Sequence, residues 1–107
     1  MPSGQQQEKE RTREFLEAFI GLVVRYPEKV KVEVREAWHQ SVPEKIVTTF
    51  LIGVEDPRDA AVLIGVGGKN VQTLREIVHV IASQNKFTPA RVEILDPLRT
   101  RGGGGKE

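Results

Sequence analysis

Leu63-Ile64-Gly65-Val66-Gly67-Gly68-Lys69-Asn70-Val71 places three glycines within four positions, between aliphatic residues. Glycine loses the most conformational freedom on folding, so this density marks a place where the backbone does something a Cβ would prevent. A loop that cradles a phosphate is one such place. The two common nucleotide loops do not fit. A P-loop needs G-x-x-x-x-G-K-[ST], yet Gly68-Lys69 is followed by Asn70, and Leu63 stands at the first glycine position. A dinucleotide turn needs G-x-G-x-x-G, and Asn70 occupies the third glycine position. That turn also follows a strand, whereas "DAAVLI" (residues 59–64) reads as helix.

Both flanks of the turn are helical by pattern. Upstream, "EDPRDAAVLIG" offers Asp56 as an N-cap and Pro57 at the first helical position, which predicts a short helix to about Ile64. Downstream, Val71, Leu74, Ile77, Val78 and Ile81 keep helical spacing, which predicts a longer helix to about Gln84. The glycines therefore join two helices. A helix hairpin can use glycine as a mere connector, but three in four positions is more than a connector needs.

Further out the periodicity changes. From Glu8 to Arg25, Phe15, Phe19, Leu22 and Val23 form one stripe of an amphipathic helix, widened by Leu16 and Ile20 and closed by Tyr26-Pro27. "EKVKVEVRE" alternates strictly, with Val30, Val32 and Val34 on one face, as a half-buried strand does. "AWHQSVPE" reads as a connection and "KIVTTFLIGV" as a second, more central strand, given its nearly continuous β-branched and aliphatic content. "SQNKFTP" is a loop, and "ARVEILD" is the last strand. The order is α-β-β-α-α-β. Each element has one apolar face, so the helices are expected on one side of a three-stranded sheet, as a small α+β sandwich.

Composition bounds the rest. The 107 residues suit one domain with a modest core. Residues 1–7 are polar and read as a disordered N-terminus, residues 8–96 as the domain, and residues 97–107, with four consecutive glycines, as a flexible tail. There is no cysteine, which excludes disulfides and thiolate zinc sites and fits a reducing compartment. No apolar run approaches a membrane span and no signal peptide is visible, so a soluble cytoplasmic protein is expected. Net charge is +1, but residues 1–63 carry nine Lys/Arg against eleven Asp/Glu, while residues 64–107 carry seven against four. The glycine motif opens the basic half.

Ile64-Gly65-Val66-Gly67-Gly68-Lys69-Asn70-Val71, an aliphatic-Gly-x-x-Gly-x-x-aliphatic turn between two helices, resembles the signature of the KH domain. The element order resembles the type II KH fold, and residues 15–96, including "VQTLREIV", are similar to the small single-domain bacterial KhpA (YlqC-like) family. That resemblance implies single-stranded RNA clamped by its backbone at Gly65, Val66, Gly67 and Gly68, with bases in a shallow apolar groove. Lys69 and Asn70 would follow on the first helical turn, with Arg75 further along the helix. The second helix starts at the turn, so its free N–H groups and positive dipole end can face a phosphate. RNA-binding members usually carry Lys or Arg at the two central positions. Here these are Val66 and Gly67, which implies weaker binding with a shallower salt dependence, or binding that depends on a partner. The family further implies an RNA chaperone or post-transcriptional regulator linked to cell division and envelope growth. It also implies self-association, or pairing with a larger KH protein of the KhpB (Jag-like) type.

Other residues carry less. His39 and His79 suggest neither a metal site nor catalysis, and no nucleophile–base arrangement is visible. Trp38 is expected to pack in the core or on the sheet edge. Glu33, Glu36 and Glu44 are expected on the first strand's polar side or in the following loop. Arg99, Arg101 and Lys106 read as a solvated terminus. The expected function is therefore nonenzymatic RNA binding with no cofactor, metal or small-molecule substrate. The alternative is a protein-interaction module with a KH fold.

Overall fold

The computed structural model describes residues 6–38 and 45–95. Residues 1–5, His39, Glu44 and the glycine-rich tail, with its Arg99, Arg101 and Lys106, lie outside the described residues. Helix α1 spans Gln6–Gly21, strand β1 Val30–Trp38, strand β2 Ile46–Val54, helix α2 Pro57–Ile64, helix α3 Lys69–Asn85 and strand β3 Ala90–Leu95. The chain is an α+β structure built on one mixed three-stranded sheet.

β2 is the central strand, as its apolar content predicts. It pairs antiparallel with β1, from Val30 opposite Val54 to Trp38 opposite Ile46. It pairs parallel with β3, from Thr48 opposite Ala90 to Gly53 opposite Leu95. A parallel neighbour requires a crossover, and α2, the glycine turn and α3 supply it. The inward positions Val32, Phe50, Ile52, Val54 and Val92 form one core with Leu16 and Ile20 of α1, Ala60 and Leu63 of α2, and Leu74, Val78 and Ala82 of α3. Lys31, Glu33, Arg35, Arg91 and Glu93 alternate onto the opposite face and are exposed.

Three local devices hold the elements in place. The Asp56 side chain accepts the Arg58 N–H at 2.8 Å and caps α2, with Pro57 in the first turn. Asp59, buried in the same helix, accepts the N–H groups of Arg25 (Oδ1, 3.0 Å) and Tyr26 (Oδ2, 3.0 Å), pinning the chain as it leaves α1 for β1. α3 closes with Lys86 in the left-handed region and the Phe87 N–H donating to the Ala82 carbonyl at 2.9 Å, which folds buried Phe87 against Phe50.

The structure corrects several expectations. α1 starts at Gln6 and ends at Gly21 rather than Arg25, because the Leu22 and Val23 N–H groups turn back to the Phe19 and Ile20 carbonyls. Its core face is Leu16, Ile20 and the following Val24, not Phe15, Phe19, Leu22 and Val23, all four of which are exposed. β1 runs on through Ala37 and Trp38, which pair with Val47 and Ile46, and Trp38 remains 66% exposed instead of packing. Glu36 shares the inward parity of Val32 and forms an ion pair with Lys9, whose ammonium also lies 5.8 Å from the Phe87 ring centroid. A long amphipathic side chain can bury its stem this way when its charge is paired.

Candidate nucleic-acid interface

The turn between α2 and α3 depends on backbone geometry that only glycine adopts readily. Gly65 has φ 79° and ψ 167°, a region almost exclusive to glycine. Gly67 and Gly68 are both left-handed, at φ 65° and φ 78°. Val66–Gly68 forms one 3₁₀ turn, in which the Gly68 N–H donates to Gly65 and the Lys69 N–H to Val66. The N–H groups of Val66 and Gly67 precede these bonds and fall outside the turn's own ladder. Val66 is 92% exposed at the apex, and nothing lies within 4 Å of where a Cβ at Gly67 would sit.

Immediately behind the apex α3 begins. It has no side-chain N-cap and no acidic residue in its first turn. A helix of 17 residues thus presents its positive end with nothing local to neutralise it. Lys69 is exposed beside it, and among the described residues no carboxylate lies within ion-pair distance of Lys69. The arrangement suits an anion approaching the turn.

Asn70 has a different place from the expected one. Its side-chain N–H donates to the Val62 carbonyl at 2.7 Å, satisfying a carbonyl in the last turn of α2. It fastens the two helices rather than pointing an amide at a ligand. Arg75 is also displaced from the turn. It lies six residues beyond Lys69, about 9 Å along the helix, and its Nε–H donates to the Val92 carbonyl of β3 at 3.5 Å.

Arg75 belongs instead to a groove of about 640 Å³ between α3 and β3. Gln72, Glu76, His79 and Val80 line one wall, and Arg91 and Glu93 the other. β3 is an edge strand, so one side of its backbone faces this groove instead of another strand. Of these groove residues, only Arg75 is a binding residue by sequence pattern, and His79 carries no such role there. The signal was there in the polar face of α3, where Gln72, Glu76, His79 and Val80 follow helical spacing, but nothing paired that face with β3. Among the described residues no group of three His, Cys, Asp or Glu side chains could hold a metal, and no helix is long and apolar enough to cross a membrane.

A second surface is apolar. Phe15 and Phe19 stack with ring centroids 6.0 Å apart, and Val23 and Val62 extend them. A crevice of about 180 Å³, lined by Phe19, Val23, Val62, Leu63, Asn70, Thr73 and Leu74, runs from this stripe to the foot of the glycine turn.

No family model matches the chain, and neither a curated protein nor a solved structure matches it.

Proposed function

We propose that the chain is a type II KH-like domain that binds single-stranded RNA, with the Gly65–Gly68 turn against the sugar-phosphate backbone and the α3–β3 groove receiving bases. The observation that carries this reading is the turn itself. Three positive-φ glycines bring bare backbone to the uncapped start of α3, with Lys69 beside it and the groove beginning within a turn of helix. The element order and the mixed sheet with β2 central agree with the type II arrangement. In this reading the role is nonenzymatic, that of an RNA chaperone or post-transcriptional regulator.

The test is a Gly67→Asp, Gly68→Asp double variant, with RNA affinity measured at two salt concentrations. Both positions are left-handed, which Asp tolerates better than most residues, and neither is crowded, so the variant should fold. Two carboxylates at the turn should weaken binding at both salts. Unchanged affinity in a folded variant refutes the clamp.

The exposed Phe15–Phe19–Val23–Val62 stripe favours a second reading, a protein-interaction module that self-associates or pairs with another KH protein of the KhpB (Jag-like) type. Light scattering across a concentration series, with Phe15→Glu and Leu22→Glu as comparison variants, tests self-association. A monomer at every concentration, with no nucleic acid co-purifying, leaves pairing with a different chain as the form of this reading.

A further inference from the structure

The net positive charge of this chain lies outside its domain. Residues 1–96 carry 13 Lys/Arg against 14 Asp/Glu, a net of −1. Residues 97–107 carry Arg99, Arg101 and Lys106 against Glu107 alone, a net of +2, which brings the whole chain to +1. Attraction of a polyanion depends on net charge and on where it sits. A domain of net −1, with Val66 at the apex of its turn, supplies little of that attraction.

The fold fixes where the basic segment departs. α3 and β3 pack together and are joined by residues 86–89 alone, so they run in opposite directions. The bond from Arg75 to the Val92 carbonyl sets their relative height. From Arg75 back to Lys69, α3 covers about 9 Å. From Val92 on to Leu95, β3 advances about 10 Å the same way. The last residue of β3 and the first of α3 therefore lie at the same end of the groove, the end that holds the glycine turn. Covalent geometry allows at most about 3.6 Å per residue, which keeps Arg99 within about 14 Å of Leu95 and Arg101 within about 22 Å. Both are within reach of a strand lying on the turn.

We propose that residues 97–107 are a cationic arm of the RNA site, in which Arg99, Arg101 and Lys106 take phosphates flanking those on the glycine turn. The proposal rests on the RNA-binding reading of that turn. Arm and turn divide the work. The turn gives close backbone contact and one cation, Lys69, and the arm adds three cations along the strand's flank.

The test replaces all three cations in the full chain, as Arg99→Gln, Arg101→Gln and Lys106→Gln. The substitutions lie outside the domain, and circular dichroism checks that the fold persists. Fluorescence anisotropy over a salt series measures binding to labelled single-stranded RNA of two lengths. One strand has about four nucleotides, the length such a turn clamps, and the other is roughly three times longer. On the longer strand the slope of log affinity against log salt should become shallower by about 2, from three contacts at about 0.7 each. Affinity at low salt should fall by about tenfold or more. On the short strand, which has no flanking phosphates to offer, parent and variant should agree within about twofold. An unchanged slope and affinity on the longer strand overturn the arm while leaving the clamp intact. An equal loss on both strands overturns its assignment to flanking phosphates. Failure of the parent chain to bind either strand overturns RNA binding itself, and the arm with it.

Discussion

Gly65 and Asn70 occupy interlocking space: a Cβ at Gly65 would lie 2.7 Å from the Asn70 Cγ and 2.8 Å from its backbone nitrogen. The Asn70 amide reaches past the bare Cα of Gly65 to the Val62 carbonyl, so the missing side chain at one position makes room for the working side chain at the other. The turn is held from inside by this pair, while Val66 and Gly67 stay open at its apex.

The glycines are accordingly unequal. Gly65→Ala combines the strained backbone region with the Asn70 clash and should destabilise the fold by about 2–3 kcal/mol. Gly67→Ala meets only the left-handed penalty, about 1 kcal/mol. Adding Asn70→Ala to Gly65→Ala removes the side-chain clash but leaves the backbone one and gives up the bond to the Val62 carbonyl, so the double variant should recover little of the loss. Urea unfolding of the four proteins checks the order.

Val66 stands at the apex, where a cation would meet phosphate. Val66→Lys should leave stability nearly unchanged and raise affinity for single-stranded RNA. The slope of log affinity against log salt should steepen by about 0.7, the value for one added phosphate contact on a single strand. An unchanged slope means that the apex does not meet the backbone.

Asp59 satisfies two backbone amides with one buried carboxylate. Asp59→Ala should destabilise by about 3 kcal/mol, since hydrogen bonds to charged groups are the strong ones and both donors would be left without their acceptor. Asp59→Asn keeps one acceptor and sets an amide donor against the second N–H, so it should fall between. Chemical denaturation midpoints, with unchanged slopes, check this.

The Asp56 carboxyl lies below its ordinary value, chiefly because it accepts the Arg58 N–H and further because of the Arg58 charge. A folded-state value below the unfolded one means that the cap contributes fully above the ordinary carboxylate range, near pH 4. The contribution is then lost as pH falls through the lowered value. Asp56→Asn caps α2 without titrating. Parent and variant melting temperatures measured from neutral to acid pH should therefore converge as the parent's advantage disappears.

Much of the fold was legible because it rests on short-range rules. The alternation of Val30, Val32 and Val34, the Asp56-Pro57 start and the helical spacing after Gly68 each constrain neighbours within a few residues. The four glycine-turn positions were legible for the same reason. The core-facing side of α1 was not, because residues 15, 16, 19, 20, 22, 23 and 24 are all apolar and spread over a wide arc of the helix. Periodicity shows that arc but not which part of it meets the sheet.

The sequence by itself determined the elements, their order and the turn, since each depends on steric and hydrogen-bonding preferences local to the chain. Only the tertiary structure decided that Leu16, Ile20 and Val24 face the core while Phe15 and Phe19 face outward. It alone set Asn70 on the Val62 carbonyl and Arg75 on the Val92 carbonyl. The reason is that the parallel pairing of β2 with β3 carries α3 back across the sheet, and contacts made by that crossover have no local pattern to announce them.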